Sequence, residues 1–231
     1  MTVTLFIPVK NEIDGLKAIM PRIKKEWVDE ILIIDGSSTD GSQEYLETHG
    51  YDFVIQKSKG VRGAFWEAFE LAKGEVIILF SPDNNSVPED IPLLIEKIKE
   101  GHDLVIASRY YQGMKSDDDD FMSRLGNKVF TGLINILFRA RYSDAMTMYK
   151  AFPIKLLHEL RIDENRNNDF AEIAIVCRAA RRKLKIVEIP SHEQARIGGP
   201  PGSRAHPGLL GKYKSALVLF KMIIRDWLFF V

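Results

Sequence analysis

Five short apolar runs, each followed by a polar cluster and then a helical pattern, constrain the first half of this chain more than any single motif does. The runs cover residues 3–7, 30–34, 53–56, 75–80 and 103–107. Between them, Leu16, Ile19, Met20 and Ile23 share one helical face, and Ala64, Ala68, Phe69 and Ala72 share another. Ile91, Leu94, Ile95 and Ile98 make a third, with Pro88 expected at its first helical position. Strands alternating with helices predict an α/β fold around a mostly parallel sheet with helices on both faces. Residues 76–80, Val-Ile-Ile-Leu-Phe, are apolar without a break, as a strand buried on both sides requires.

The second half is less regular. A polar stretch at 112–120 ends in four aspartates, which are expected to repel one another and stay solvated, and which leave open a part in shaping an acceptor mouth. A helix at 121–139 follows, with Leu125, Val129, Leu133, Ile136 and Leu137 on one side. Then come a loop with Asp144, a strand near 146–152, a helix about 169–181 and a strand at 185–189. Residues 196–204 are basic and rich in Gly and Pro, the composition of a mobile loop. A helical pattern closes the chain at 209–231, and no internal repeat is visible.

Composition removes several function classes. The 231 residues are 45% hydrophobic and 28% charged, enough to bury one sizeable core. Lys plus Arg and Asp plus Glu both number 32, so no global field draws the chain to nucleic acid and any anion site is local. The single cysteine, Cys177, cannot form an intrachain disulfide, which fits a reducing, cytoplasmic compartment, and its apolar neighbours predict a buried structural thiol. No basic segment precedes the first apolar run, so it reads as a strand rather than a signal peptide. The C-terminal helix is interrupted by Lys221, Arg225 and Asp226 and is not a membrane span. The five histidines lack metal-site spacing with one another.

In open α/β sheets, ligands bind beyond the carboxyl ends of the strands. Here those ends carry Pro8, Lys10, Asn11 and Glu12; then Asp35 to Gly41; then Lys57 to Gly63; then Ser81 to Asn85; then Ser108, Arg109 and Tyr110. The carboxylate of Asp35 can accept from the N–H edge of a nucleobase, although alone it equally well starts a turn. Gly60 and Gly63 can bring backbone N–H groups, and Arg62 a guanidinium, to a diphosphate. Asp83, with Asn85 beside it, can hold Mg²⁺ or Mn²⁺, hard ions that need only one or two protein carboxylates when phosphates supply the rest. A bare Asp/Asn-rich turn explains those two residues as well.

Taken together, residues 7–12, 34–41, 60–64, 81–88, 108–110, 144–150, 169–172, 188–190 and 196–204 resemble, in order, the family 2 glycosyltransferases. The similarity is greatest to the polyprenyl-phosphate sugar transferases of the dolichol-phosphate-mannose-synthase type. The resemblance implies a GT-A (Rossmann-like) fold and a transfer of sugar from a nucleotide-sugar donor, metal-assisted and inverting. Pro8, Glu12 and Asp35 would hold the nucleoside, and Asp83 the metal and diphosphate with help from Asn85. Arg109 and Arg124 would meet an acceptor phosphate, and Arg196, Ser203 and Arg204 would belong to a loop closing over the donor. Residues 1–206 would form the catalytic domain, 1–110 its nucleotide-sugar half and 111–206 its acceptor half and closing loop, with 207–231 an amphipathic C-terminal helix. The chain departs from the family pattern at Ser81, where the first aspartate of Asp-x-Asp is expected, and at Gly36.

The acceptor decides the mechanism. A phosphate monoester, with a second pKa of about 6, attacks without a strong base; a sugar hydroxyl needs a carboxylate, for which Asp144, Asp169 and Glu172 are candidates. Asp169 and Glu172, three apart, are expected on one helical face. Lys214, Lys221 and Arg225 line one side of the last helix while apolar residues cover much of the rest, a pattern open to three readings: packing on the sheet, a peripheral position on the inner face of a membrane, or a homo-oligomer contact. Three functions follow: a polyprenyl-phosphate glycosyltransferase, a soluble transferase acting on a saccharide hydroxyl, and a non-catalytic nucleotide-sugar-binding protein.

Overall fold

The computed structural model describes residues 1–198 and 209–230. One seven-stranded sheet runs through the chain. Its strands are β1 (Val3–Val9), β2 (Glu30–Asp35), β3 (Phe53–Ile55), β4 (Val76–Leu79), β5 (Leu104–Ser108), β6 (Lys150–Pro153) and β7 (Ile186–Pro190), in the spatial order β3-β2-β1-β4-β6-β5-β7. All pairings are parallel except those of β6, which lies antiparallel between β4 and β5. The helices are α1 (Ile13–Ile19), α2 (Ser42–Thr48), α3 (Gly60–Leu71), α4 (Ile91–Lys99), α5 (Phe121–Phe138), α6 (Leu156–Glu159), α7 (Ala171–Arg181) and α8 (Leu209–Phe229).

The period-two alternation of the central strands sorts their side chains into two cores. Phe6, Ile34, Ile77 and Leu79 face a core completed by α3, α5, α7 and α8. Leu5, Ile7, Ile33, Ile78 and Phe80 face the other, completed by α1, α2 and α4. Most of these strand residues are fully buried, and each contributes roughly 1.5–3 kcal/mol over an exposed position. Helices therefore cover both faces, as the alternating pattern predicts, and Cys177 is buried among the apolar residues of α7.

Three local expectations change. Pro88 opens a short 3-10 turn, Pro88–Asp90, and α4 begins only at Ile91. The strand expected at 146–152 is confined to Lys150–Pro153, because residues 144–147 are tied into a loop by the carboxylate of Asp144. The helix expected from 169 starts at Ala171, so Asp169 lies outside it and shares no helical face with Glu172.

The last helix belongs to the main core: Leu219, Met222, Ile223 and Phe230 pack there. Asp226 pairs with Arg178 of α7 through two bonds of 2.7 and 3.0 Å, and both side chains are almost fully buried. The opposite faces stay apolar and exposed: Met122, Leu125, Val129 and Ile136 on α5, and Tyr213, Leu217, Phe220 and Leu228 on α8. The charged side chains beside them, Arg124, Lys128, Lys214 and Lys221, are all basic. No helix among the described residues is long and apolar enough to cross a membrane.

Candidate active site

The turn after β4 is fixed from three sides. β4 is buried between β1 and β6, so the chain leaves the sheet at its centre. Gly15 of α1 lies so close that a Cβ there would stand 2.2 Å from the carbonyl oxygen of Pro82. Asn84 takes a left-handed φ of 75° and donates through Nδ2 to the Ala195 carbonyl at 2.9 Å, while the Ile197 N–H donates to the Asp83 carbonyl at 3.0 Å. These bonds hold residues 195–197 over the turn.

Asp83 lines a cavity of about 180 Å³ together with Ser81, Asn85, Arg109, Glu193 and Arg196. Its side chain is only 9% exposed, because Arg196 covers it with Nη2 at 3.3 Å from Oδ2. Ser81 donates its hydroxyl to Asp83 Oδ1 at 2.6 Å. Asn85 uses Nδ2 to donate to Asp118 Oδ2 at 3.0 Å and to Glu193 Oε1 at 3.1 Å. That fixes the amide, and its Oδ1 is left buried without a hydrogen-bond partner. A buried carbonyl oxygen without a donor is costly unless a ligand satisfies it. Together with the Asp83 carboxylate it is the oxygen set a hard divalent cation takes, so the residues present fit the metal. Among the described residues no three His, Cys, Asp or Glu side chains form a metal cage.

The loops after β1 and β2 interlock at the same edge of the sheet. Asn11 N–H donates to Ser38 Oγ, Thr39 N–H donates to Asn11 Oδ1, both at 2.8 Å, and Glu12 N–H donates to Ser42 Oγ at 3.0 Å. Glu12 is buried, and Pro8 is half-buried in register with Ile34. Asp35 is fully buried; its Oδ2 accepts from Ser38 N–H and Gln43 Nε2, and its Oδ1 has no partner. That buried oxygen can still accept from an N–H donor. Gly60 opens α3 with a φ of 76°, whereas Arg62 reaches across to residues 167–169, bonding the Asn167 carbonyl at 3.0 Å and Asp169 at 2.8 Å.

Arg109, which lines the same cavity as Asp83, forks onto Asp144, with Nε at 2.6 Å and Nη2 at 3.1 Å, and its Nη1 lies 3.4 Å from Glu193 and 3.6 Å from Asp119. Asp144 has no exposed surface and also accepts from Asn127 Nδ2 and from the backbone N–H groups of Arg109, Met146 and Thr147. Burial alone would push its carboxyl up, but the charge and hydrogen bonds of Arg109, with Asn127, hold it below its usual value. Asp144 is thus an ionised anchor for Arg109, poorly suited to take a proton. Glu172 and Asp169 do meet, across a second cavity of about 80 Å³ shared with Arg62 and Met148. Burial raises the Glu172 carboxyl, opposed by the charge of Lys150. Lys150 is itself fully buried, donates to the Thr147 carbonyl, and is lowered by burial to about 8. Arg124 is exposed on the first turn of α5, and Ser203 and Arg204 lie outside the described residues.

Residues 4–161 match the family model Glycosyl transferase family 2. The chain belongs to that family. Among curated family 2 relatives it is 24% identical over 198 residues to glycosyltransferase AglJ of Haloferax volcanii, covering 85% of this chain and 64% of that one. It is 32% identical over 136 residues to a dolichol-phosphate mannosyltransferase of Pyrococcus furiosus, covering 55% and 39%. An undecaprenyl-phosphate 4-deoxy-4-formamido-L-arabinose transferase of Pectobacterium atrosepticum is 29% identical over 161 residues, covering 64% and 46%. The chain thus spans between about two fifths and under two thirds of these relatives' lengths. Glucosyl-3-phosphoglycerate synthase of Mycobacterium tuberculosis, solved with Mg²⁺ and UDP, superposes with a TM-score of 0.71 at 16% identity, covering 98% of this chain and 79% of that one. The fold is GT-A, as the resemblance implied.

Family motifs did not point to Asp118, Asp119 or Glu193, yet all three stand at the site. The run at 117–120 looked like a solvated loop; instead Asp118 bonds Asn85, Asp119 accepts from the Tyr110 hydroxyl, and Asp120 caps α5 through the Ser123 N–H. Asp117 is exposed and pairs with His192 at 2.8 Å. Four acids directly preceding a helix were the one available signal.

Proposed function

We propose that this family 2 protein transfers a sugar from a nucleotide-sugar donor to a polyprenyl phosphate, with inversion, at the cytoplasmic surface of a membrane. The observation that carries the donor half is the fixed turn after β4, where Asp83 and the unpartnered Asn85 Oδ1 share a cavity at the lip of the sheet. A divalent cation bound there would offset the negative charge that builds on the leaving diphosphate. Asp35 Oδ1 would accept from the base, and the α3 N-terminus with Gly60 would face the diphosphate. Arg196, already against Asp83, would move onto phosphate oxygens. Attack by the acceptor on the anomeric carbon opposite the leaving diphosphate inverts that centre in one step.

The acceptor half rests on the family relatives named for polyprenyl phosphates and on the exposed faces of α5 and α8. An apolar stripe with Arg124, Lys128, Lys214 and Lys221 along it suits an interface with anionic headgroups. α5 begins directly after the acidic loop of the site, so such a surface would present a lipid phosphate beside it. A second reading, transfer to a saccharide hydroxyl, is favoured by Arg109, whose fork is filled by Asp144, and by Glu172, whose raised carboxyl suits a general base. The test is a transfer assay with a panel of nucleotide-sugars and Mn²⁺, offering undecaprenyl phosphate or free oligosaccharides. Label moving into the organic phase supports the lipid acceptor. Label entering only oligosaccharide, with activity abolished in Glu172→Gln, contradicts it in favour of the second reading.

A further inference from the structure

Ser81 leaves the turn after β4 with a single carboxylate. Its hydroxyl donates to Asp83 Oδ1 at 2.6 Å, so it orients that carboxylate rather than adding a second. Asp118 reaches the turn from elsewhere in the chain. Its Oδ2 accepts from Asn85 Nδ2 at 3.0 Å and lies 3.5 Å from Arg196 Nη2, the same nitrogen that stands 3.3 Å from Asp83 Oδ2. One positively charged nitrogen therefore sits between carboxylate oxygens supplied by two separate loops. Beside it is the amide of Asn85, whose buried oxygen has no donor.

We propose that Asp118 is the second carboxylate of the donor's cation site, supplied by the acidic loop in place of the residue missing at Ser81, with Arg196 neutralising the pair until the cation arrives. This rests on the reading that Asp83 binds a cation together with a nucleotide diphosphate. Two carboxylates brought this near to one another repel unless a cation stands between them. Arg196 supplies one positive charge there, and a divalent ion supplies two to a set of hard oxygen ligands. The incoming diphosphate in turn gives the released guanidinium a bidentate partner, so each charge exchanges one counter-charge for another.

The experiment is a titration of Mn²⁺ into the full chain, alone and with UDP or GDP as the nucleotide probe, following free Mn²⁺ by electron paramagnetic resonance. Melting curves check that each variant is folded. Wild type is expected to bind, and Asp83→Asn to lose binding. Asp118→Asn should weaken Mn²⁺ at least tenfold. Asp117→Asn, whose partner is the exposed His192, should stay within twofold of wild type. Arg196→Gln should bind Mn²⁺ more tightly than wild type when no nucleotide is present, because the competing cation is gone. Asp118→Asn binding like wild type overturns the proposal, and so does Asp117→Asn weakening as much as Asp118→Asn, which would mean a diffuse field from the acidic run. Failure of Arg196→Gln to tighten binding overturns the part given to Arg196. Wild type and Asp83→Asn behaving alike is a different result, which defeats the underlying reading of the donor site.

Discussion

Replacing Asp226 with Ala should destabilise the protein by about 3–5 kcal/mol, the usual cost of leaving one partner of a buried ion pair uncompensated. The Arg178 side chain is 9% exposed and that of Asp226 2%, so water cannot take over the lost carboxylate. Arg178 keeps its bonds to the carbonyls of Leu160 and Arg161, at 2.9 and 2.7 Å, which favours the lower end of that range. Its guanidinium also lies 4.8 Å from the Phe230 ring, so strain at Asp226 passes to the end of α8. Against a typical total of about 5–15 kcal/mol the loss is large. Urea unfolding followed by far-ultraviolet circular dichroism would measure it, with the double variant Arg178→Met/Asp226→Leu as the second arm. That variant removes both charges and fills the space with apolar atoms, so it should recover most of the loss. A single-variant cost below about 1 kcal/mol, or a double variant no better than the single, would refute the argument that this pair fastens α8 to α7.

Lys150 is lowered to about 8, so between that pH and its unfolded value near 10.4 the unfolded chain binds the extra proton and folding stability from this group rises with pH. The stability of wild type relative to Lys150→Met should therefore improve from pH 8 to 10, by at most about 1.4 kcal/mol per pH unit, read from urea midpoints; a flat difference would contradict the burial argument. Gly15→Ala would drive a Cβ into the Pro82 carbonyl, so it should cost roughly 1–3 kcal/mol and weaken nucleotide binding as the turn shifts, seen by melting and calorimetry. Ile136→Glu and Leu217→Glu, on exposed faces of α5 and α8, should leave the melting temperature nearly unchanged but reduce cosedimentation with anionic vesicles several-fold; unchanged sedimentation would remove the membrane from the account.

The parallel part of the sheet was legible because its strands are short, mostly apolar runs, unbroken in Val76–Leu79, and the helices between them carry one apolar face. The place of β6 was not. Residues 146–152 read as a strand, but local periodicity contains nothing about neighbours, and the antiparallel insertion between β4 and β5 depends on contacts distant in sequence. At the site, Asp83, Asn85 and Asp35 were readable because strand ends deliver them to one edge. Arg109 was readable as a site residue but not in its contacts: a carboxylate 35 positions away, Asp144, turns its guanidinium inward. Asp118 and Glu193 were missed for a related reason. A run of acids on a loop looks solvated until the amide and guanidinium groups that face it, from Asn85, Arg109 and Arg196, are folded against it.

If Asp83 grips a cation shared with the donor's diphosphate, a thermal-shift screen of nucleotide-sugars with and without Mn²⁺ will show it. At least one nucleotide-sugar should give a stabilisation that requires the metal, about 2.7 kcal/mol at a hundredfold excess over the dissociation constant, with the metal-dependent part lost in Asp83→Ala. A shift that ignores the metal, or that survives intact in Asp83→Ala, would contradict it.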